Sequence, residues 1–340
     1  MRMFKLSSVF LLACVVGLLA GCSHEKEPAP ASRPTGHRII TFSPGLTCIV
    51  FDMGLGDQVV GVTRYCALPP GVVRPLLGDR LNLTGEALLQ LDPDMIFVQQ
   101  DPRQFEELRK FKADLRIEHF TLERLLDIPL AMRRIGELMN RPDLAKSAVE
   151  RFVQRLREVT QSVHCLPRPT VLFVMGYERP VVAGPDTFVA DMIDAAGGTN
   201  VGGAIEGYTR WRDASVEGIL KAAPDVIVCQ VEPGQEEAAK EFWNLLTELP
   251  AVQRHAVYVV TDRMWTIPGP GLTDLTAQLA KMIHPEALAT SGPTSEPSEP
   301  ATPPVESGQT QAGKPVPPMP AEPGSQPATA SCPSTQQKGP

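Results

Sequence analysis

Glu86 and Glu217 each head the same short line of sequence. Glu86 opens "EALLQLDPDMIFVQ" and Glu217 opens "EGILKAAPDVIVCQ", 131 positions further on. Each copy places an apolar pair behind the acid, Pro-Asp at seven and eight residues, and an apolar run closed by glutamine. Both acids fall in the first turn of an expected helix, where a carboxylate opposes the helix dipole by about 0.3–1 kcal/mol. For one glutamate that local role suffices. Two at matched positions also fit a surface role. Bond-making chemistry has little to work with: there is no G-x-S-x-G elbow, no P-loop and no H-E-x-x-H. Ser43 reads as a helix cap, Asp92 and Asp94 sit at a turn without a partner base, and "GLGDQVVG" misses the dinucleotide spacing. A zinc or manganese site needs converging histidines and carboxylates. Of the six histidines, His24 and His37 precede the folded region, while His119, His164, His255 and His284 are scattered; only His119 ends a strand near a possible cleft. The sequence therefore reads as a non-enzymatic binder without a metal site.

The elements that must carry the two glutamates alternate. From Arg38, "RIITF" is a buried strand; Ser43-Pro44 caps the helix "GLTCIVFDMGLG", and "QVVGV" is the next strand. The first echo then supplies helix and strand, followed by an expected helix "RQFEELRKFK" and strand "LRIEHF". Such alternation indicates parallel βα units. A helical passage follows, broken at Asn140-Arg141-Pro142-Asp143, whose second piece "PDLAKSAVERFVQRLREVTQSV" keeps Leu144, Val149, Phe152, Val153, Leu156 and Val159 on one face. Its length is about 33 Å, the width of a domain, so it reads as a rigid bridge. "PTVLFVMG" restarts the alternation, which runs through the helix "TFVADMIDAAGG", the second echo, "EFWNLL", "AVYVV" and the helix "GLTDLTAQLAKMI". The fold class is α/β, and the line is written twice because two lobes share one plan. The lobes span residues 37–121 and 167–288, with the helical bridge at 122–166.

The chain ends are not part of this plan. A basic start (Arg2, Lys5), the apolar run "VFLLACVVGLLA" and small residues at the cut read as a signal peptide over residues 1–21. Leu19-Ala20-Gly21-Cys22 resembles the bacterial lipobox, which makes Cys22 the lipidation site and residues 22–36 a membrane-anchored tether outside the cytoplasm. Residues 289–340 are proline-rich; from Thr290 onward there are 13 prolines and no Phe, Trp or Tyr, a composition expected to stay disordered. Thirty-two basic and 39 acidic residues give a net charge of −7, which argues against a nucleic-acid partner. Seven cysteines include no CxxC; Cys48 with Cys66 is a conceivable pair, and Cys229 in its apolar strand reads as a buried thiol.

At these residues the chain, from about Arg38 to Pro285, resembles the class III periplasmic binding proteins of the iron-siderophore, haem and cobalamin group that feed ABC importers. "VVGVTRYCALPP" is similar to the cobalamin-binding branch. The resemblance implies a monomer of two Rossmann-like lobes joined by one long backbone helix, with cobalamin, or alternatively a ferric siderophore or haem, held between them. It also implies that Glu86 and Glu217 dock onto arginines of the importer's transmembrane subunits. Ligands of open α/β sheets lie at the carboxyl ends of strands, which selects Arg64, Tyr65, Gln99, Tyr177, Arg263 and Trp265 as cleft candidates. Trp211 and Tyr65 match pocket aromatics of the cobalamin branch, and aromatics suit a large, flat, partly apolar ligand. Trp243, in "FWNLL", reads as core. There are two departures. Gln99 stands where some cobalamin binders have a second tryptophan, and Pro268-Gly269-Pro270-Gly271 replaces the common Pro-Gly-Pro-Arg. An anionic ligand would then rely on Arg64, Arg179, Arg210, Arg212 and Arg263.

Overall fold

The computed structural model describes residues 36–77, 85–205 and 210–289. The expected signal peptide, the expected lipidation site Cys22, and nearly all of the expected tether and proline-rich tail lie outside the described residues. In the first lobe, β1 (Ile39–Thr41), α1 (Pro44–Asp52), β2 (Val59–Val62), α2 (Gly85–Leu91), β3 (Met95–Val98) and β4 (Arg116–His119) build a parallel sheet of order β2-β1-β3-β4. Ser43 is extended and its hydroxyl accepts from the Leu46 amide, so the expected cap and Pro44 start α1 as anticipated. The helix expected over "RQFEELRKFK", residues 103–112, is instead a 3₁₀ helix over Pro102–Lys110. Its buried residues, Phe105 and Leu108, are three apart, a spacing that a three-residue turn presents to the sheet.

The bridge is α3 (Asp127–Leu138) followed by the 22-residue α4 (Pro142–Val163). Its buried face is Ala145, Ala148, Val149, Phe152, Val159 and Val163; Val153 is exposed.

The second lobe contains β5 (Thr170–Met175), β6 (Val181–Ala183), α5 (Phe188–Ala195), β7 (Thr199–Asn200), β8 (Trp211–Asp213), α6 (Val216–Ala222) and β9 (Val226–Gln230). It continues with α7 (Glu236–Asn244), α8 (Pro250–Gln253), β10 (Val257–Val260), α9 (Leu272–Ile283) and α10 (Pro285–Ala289). Strands β10, β9 and β5 are parallel, whereas β6 and β8 add an antiparallel edge that the alternation did not announce. One core cluster runs from α1 through α3 and α4 to α5 and α9, so both lobes pack on the bridge through continuous apolar contact.

The echo has a structural reason in both lobes. Each helix ends in a left-handed residue, Asp92 (φ 40°) and Ala223 (φ 45°), directly before the proline that cannot continue it. Each Pro-Asp carboxylate then ties the following strand to its neighbour. Asp94 accepts from the Arg38 amide at 2.8 Å, and Asp225 accepts from the Thr170 amide and hydroxyl at 2.9 and 2.8 Å.

Cys48, Cys66 and Cys229 are thiols, so the conceivable Cys48–Cys66 bridge is not formed, and Cys165 is disulfide-bonded. Burial pushes the Cys229 thiol up to about 11, consistent with an inert core sulfur. His284, at the end of α9, is 7% exposed, and its Nε2 is buried without a hydrogen-bond partner among the described residues. A Cβ on Gly197, whose φ is +80°, would lie 2.7 Å from that nitrogen, so only glycine lets the helices close here. Desolvation holds the His284 pKa below its usual 6.5. The unfolded chain therefore takes up a proton near pH 6.5 that the folded protein refuses, and stability falls as pH drops below that value. His284→Gln is expected to flatten this acid limb in denaturant titrations between pH 7 and 5. An unchanged limb would remove His284 as its source.

Candidate functional site

The carboxyl edge of the first sheet gathers most of the expected first-lobe candidates. Arg64 and Tyr65 follow β2; Tyr65 is 50% exposed, and the Arg64 guanidinium lies 5.6 Å from its ring centroid. After β3, the Gln99 side-chain oxygen accepts from the Ser43 hydroxyl, while its carbonyl meets His119 Nε2 at 3.2 Å. Thus Gln99 stitches the ends of β1, β3 and β4 together. The neighbouring Gln100 Oε1 is buried without a hydrogen-bond partner among the described residues.

The second lobe divides its candidates. Trp211 lies on the edge strand β8, not in a loop, and is half-buried. With Arg212, Asp213, Ala214, Ser215 and Val181 it lines a concavity of about 660 Å³, within the roughly 300–1,000 Å³ usual for small-molecule sites. Behind it stand Phe173, edge-on at 6.1 Å, and Phe188 at 6.2 Å. Trp265 corrects an expectation. It is 1% exposed and stacks on Phe173 at 6.1 Å and 29°, so its ring belongs to the core beneath Trp211 rather than to the cleft surface. Trp243 is fully buried, as its apolar surroundings indicated. Tyr177 sits on the turn between β5 and β6 with its ring against Phe242, 5.8 Å away.

Of the arginines considered for an anionic ligand, Arg210 is already committed, donating to Glu123 Oε1 at 2.5 Å. Arg179 and Arg263 are exposed, and their guanidinium groups have no partner among the described residues. These two retain capacity for an acidic group. Also among the described residues, no three His, Cys, Asp or Glu side chains converge on a possible metal position.

Glu86 and Glu217 occupy the first turns of α2 and α6, both exposed and without an ion-pair partner among the described residues. Ser215 caps α6 by accepting from the Gly218 amide at 3.0 Å, which fixes the turn bearing Glu217.

The lobes also touch directly. A β-carbon on Gly45, at the start of α1, would run into the Pro268 carbonyl oxygen of the second lobe. On the bridge, Arg151 reaches Asp52 of α1 at 2.9 Å and Arg155 reaches Asp274 of α9 at 2.6 Å. Arg124, ahead of α3, grips Asp191 of α5, and the Leu125 amide donates to the same carboxylate at 2.8 Å. These lobe-spanning residues, with Phe173 and Phe188, carried no local signal in the sequence; only tertiary packing brings them together. No helix among the described residues is long and apolar enough to cross a membrane.

Residues 39–264 match the periplasmic binding protein family. An uncharacterized ABC transporter substrate-binding lipoprotein of Bacillus subtilis, YvrC, is 26% identical over 74% of this chain and 81% of its own length. The vitamin B12-binding protein of Vibrio cholerae is 24% identical over 80% of this chain and 96% of its own. Among solved structures, the periplasmic heme-binding protein RhuT from Roseiflexus superposes with a TM-score of 0.63 at 23% identity, covering 74% of this chain and 99% of that one.

Proposed function

The chain belongs to the periplasmic binding protein family, and from that premise we propose that it is the substrate-binding lipoprotein of an ABC importer, capturing cobalamin between its lobes and delivering it to the permease. The observation that carries this reading is Trp211, half-buried on an edge strand, backed by aromatic rings and opening on a concavity of ligand size. Tyr65, half-exposed at the edge of the opposite lobe, supplies a second flat apolar surface. A planar macrocycle suits such rings because they bury large area at little entropic cost. The similarity to a vitamin B12-binding protein supports the same choice. Capture involves no covalent step: aromatic faces hold the ligand's body, and Arg64, Gln99, Tyr177 and Arg263 meet its polar rim. The continuous core across α4 favours only a small lobe movement on loading. The loaded protein, anchored through Cys22, then presents Glu86 and Glu217 to cationic residues of the permease.

Haem or a ferric siderophore is the second reading. It draws on Arg179 and Arg263, whose guanidinium groups are unpaired among the described residues and suit carboxylates. The deciding experiment mixes mature protein with cyanocobalamin, haem and ferric siderophores, followed by calorimetry and visible absorbance of the recovered protein. The expected result is one cyanocobalamin retained per chain, with quenched tryptophan emission that Trp211→Ala weakens at least tenfold. Retention of haem or siderophore alone would replace the ligand. Retention of none would overturn the reading.

A further inference from the structure

Eight consecutive residues, Arg210 to Glu217, join features that otherwise lie apart. Arg210 pairs with Glu123 on the connector between β4 and α3. That connector is itself held by the second lobe. The Glu123 amide donates to Asp127 at 2.8 Å, and the next two residues bind Asp191. Trp211 faces the concavity and rests on Phe173 and Phe188, the latter on the same helix as Asp191. Beyond β8 only Ala214 and Ser215 precede α6, with the Ala214 amide donating to the Pro180 carbonyl at 2.8 Å. Glu217 stands in the first turn of that helix. No glycine or proline interrupts the stretch from Trp211 to Glu217.

Building on the proposed function, we propose that residues 210–217 are a positioning element that couples occupancy at Trp211, and the pair Arg210–Glu123 between the second lobe and the bridge connector, to the placement of Glu217. The physical basis is the ladder. Strand β8 is three residues long and lies at the edge of its sheet, laddered to β6 on one side, so the Arg210 pair before it, the Trp211 ring on it and the Ala214 amide after it add to that ladder. A ligand pressed on that ring stiffens the strand, and the two-residue link passes the restraint to the capped first turn of α6. Arg210 acts through this strand as a positioning residue. By linkage, a permease that favours one placement of Glu217 must change ligand affinity by the same factor as loading changes docking.

Hydrogen exchange on the full mature chain tests this, with peptides covering 211–218 read against 226–230 of the central strand β9. In the unliganded protein, Arg210→Gln and Glu123→Gln are each expected to speed exchange in 211–218 by about two- to fivefold, the range open to a solvent-exposed ion pair. The double variant should be no faster than either single one, and the exchanged pair Glu123→Arg with Arg210→Glu should recover most of the protection. Adding cyanocobalamin, or haem if only haem is retained, should slow exchange across the whole of 211–218. In Trp211→Ala that slowing should vanish even at saturating ligand. Unchanged exchange in Arg210→Gln overturns the proposal, as does ligand protection that stops at Asp213. Should neither ligand bind, the ligand reading fails, while the unliganded variants still decide whether Arg210 positions the strand.

Discussion

Trp265→Ala is expected to cost about 3–5 kcal/mol of folding stability, the range for emptying a large aromatic site in a well-packed core. The indole is 1% exposed and packs within the cluster that joins both lobes to the bridge. Alanine leaves a cavity that the neighbouring rings cannot close without abandoning their own contacts. The loss is a large share of the roughly 5–15 kcal/mol that holds a typical domain together, so denaturant midpoints should fall sharply. Binding should suffer indirectly: Phe173 packs against both Trp265 and Trp211, so the pocket ring's backing loosens. Trp265→Phe, which keeps an apolar ring, should recover most of the stability and nearly all of the affinity. The informative opposite outcome is a Trp265→Ala protein that stays within about 1 kcal/mol of wild type yet no longer binds ligand. That would return the ring to the cleft.

That correction shows where sequence reasoning reached its limit. The echo was legible because helix, left-handed stop, Pro-Asp and buried strand are local events, each fixed by backbone chemistry within 14 residues. The 22-residue bridge was equally plain, since its apolar face repeats at the helical period. "TDRMWTIPGPGL" offered no period at all, and Trp265 is buried by rings from β5 and neighbouring elements rather than by its own polar neighbours. The same holds for β8. "WRD" is too short and too polar to show alternation, and it becomes a strand only because β6 lies beside it. Arg210 illustrates the difficulty for charges. Among five arginines weighed for an anionic ligand, nothing local indicated that this one is paired with a glutamate 87 residues earlier.

Replacing both Glu86 and Glu217 by alanine is expected to abolish delivery to the permease while leaving ligand affinity near wild type. Each carboxylate is exposed and unpaired among the described residues, so its removal forfeits only a dipole contribution of about 0.3–1 kcal/mol per helix. Folding should therefore be nearly unaffected. Docking is different, because a charge that enters an interface against a cation is coupled to it by about 1.5–7 kcal/mol. Two such pairs lost together weaken association by at least about a hundredfold, since each 1.4 kcal/mol is a factor of ten. Single variants should be intermediate. Glu→Lys at either position should be worse than Glu→Ala, because it adds repulsion to the loss of attraction. Wild-type docking should also weaken as salt is raised, whereas the double variant should show a flatter dependence. Uptake into proteoliposomes containing the cognate permease, run beside calorimetry with the free ligand, separates the two effects. If the double variant delivers ligand at the wild-type rate, the glutamates serve only their helices, and the repeated line records lobe architecture without a docking role.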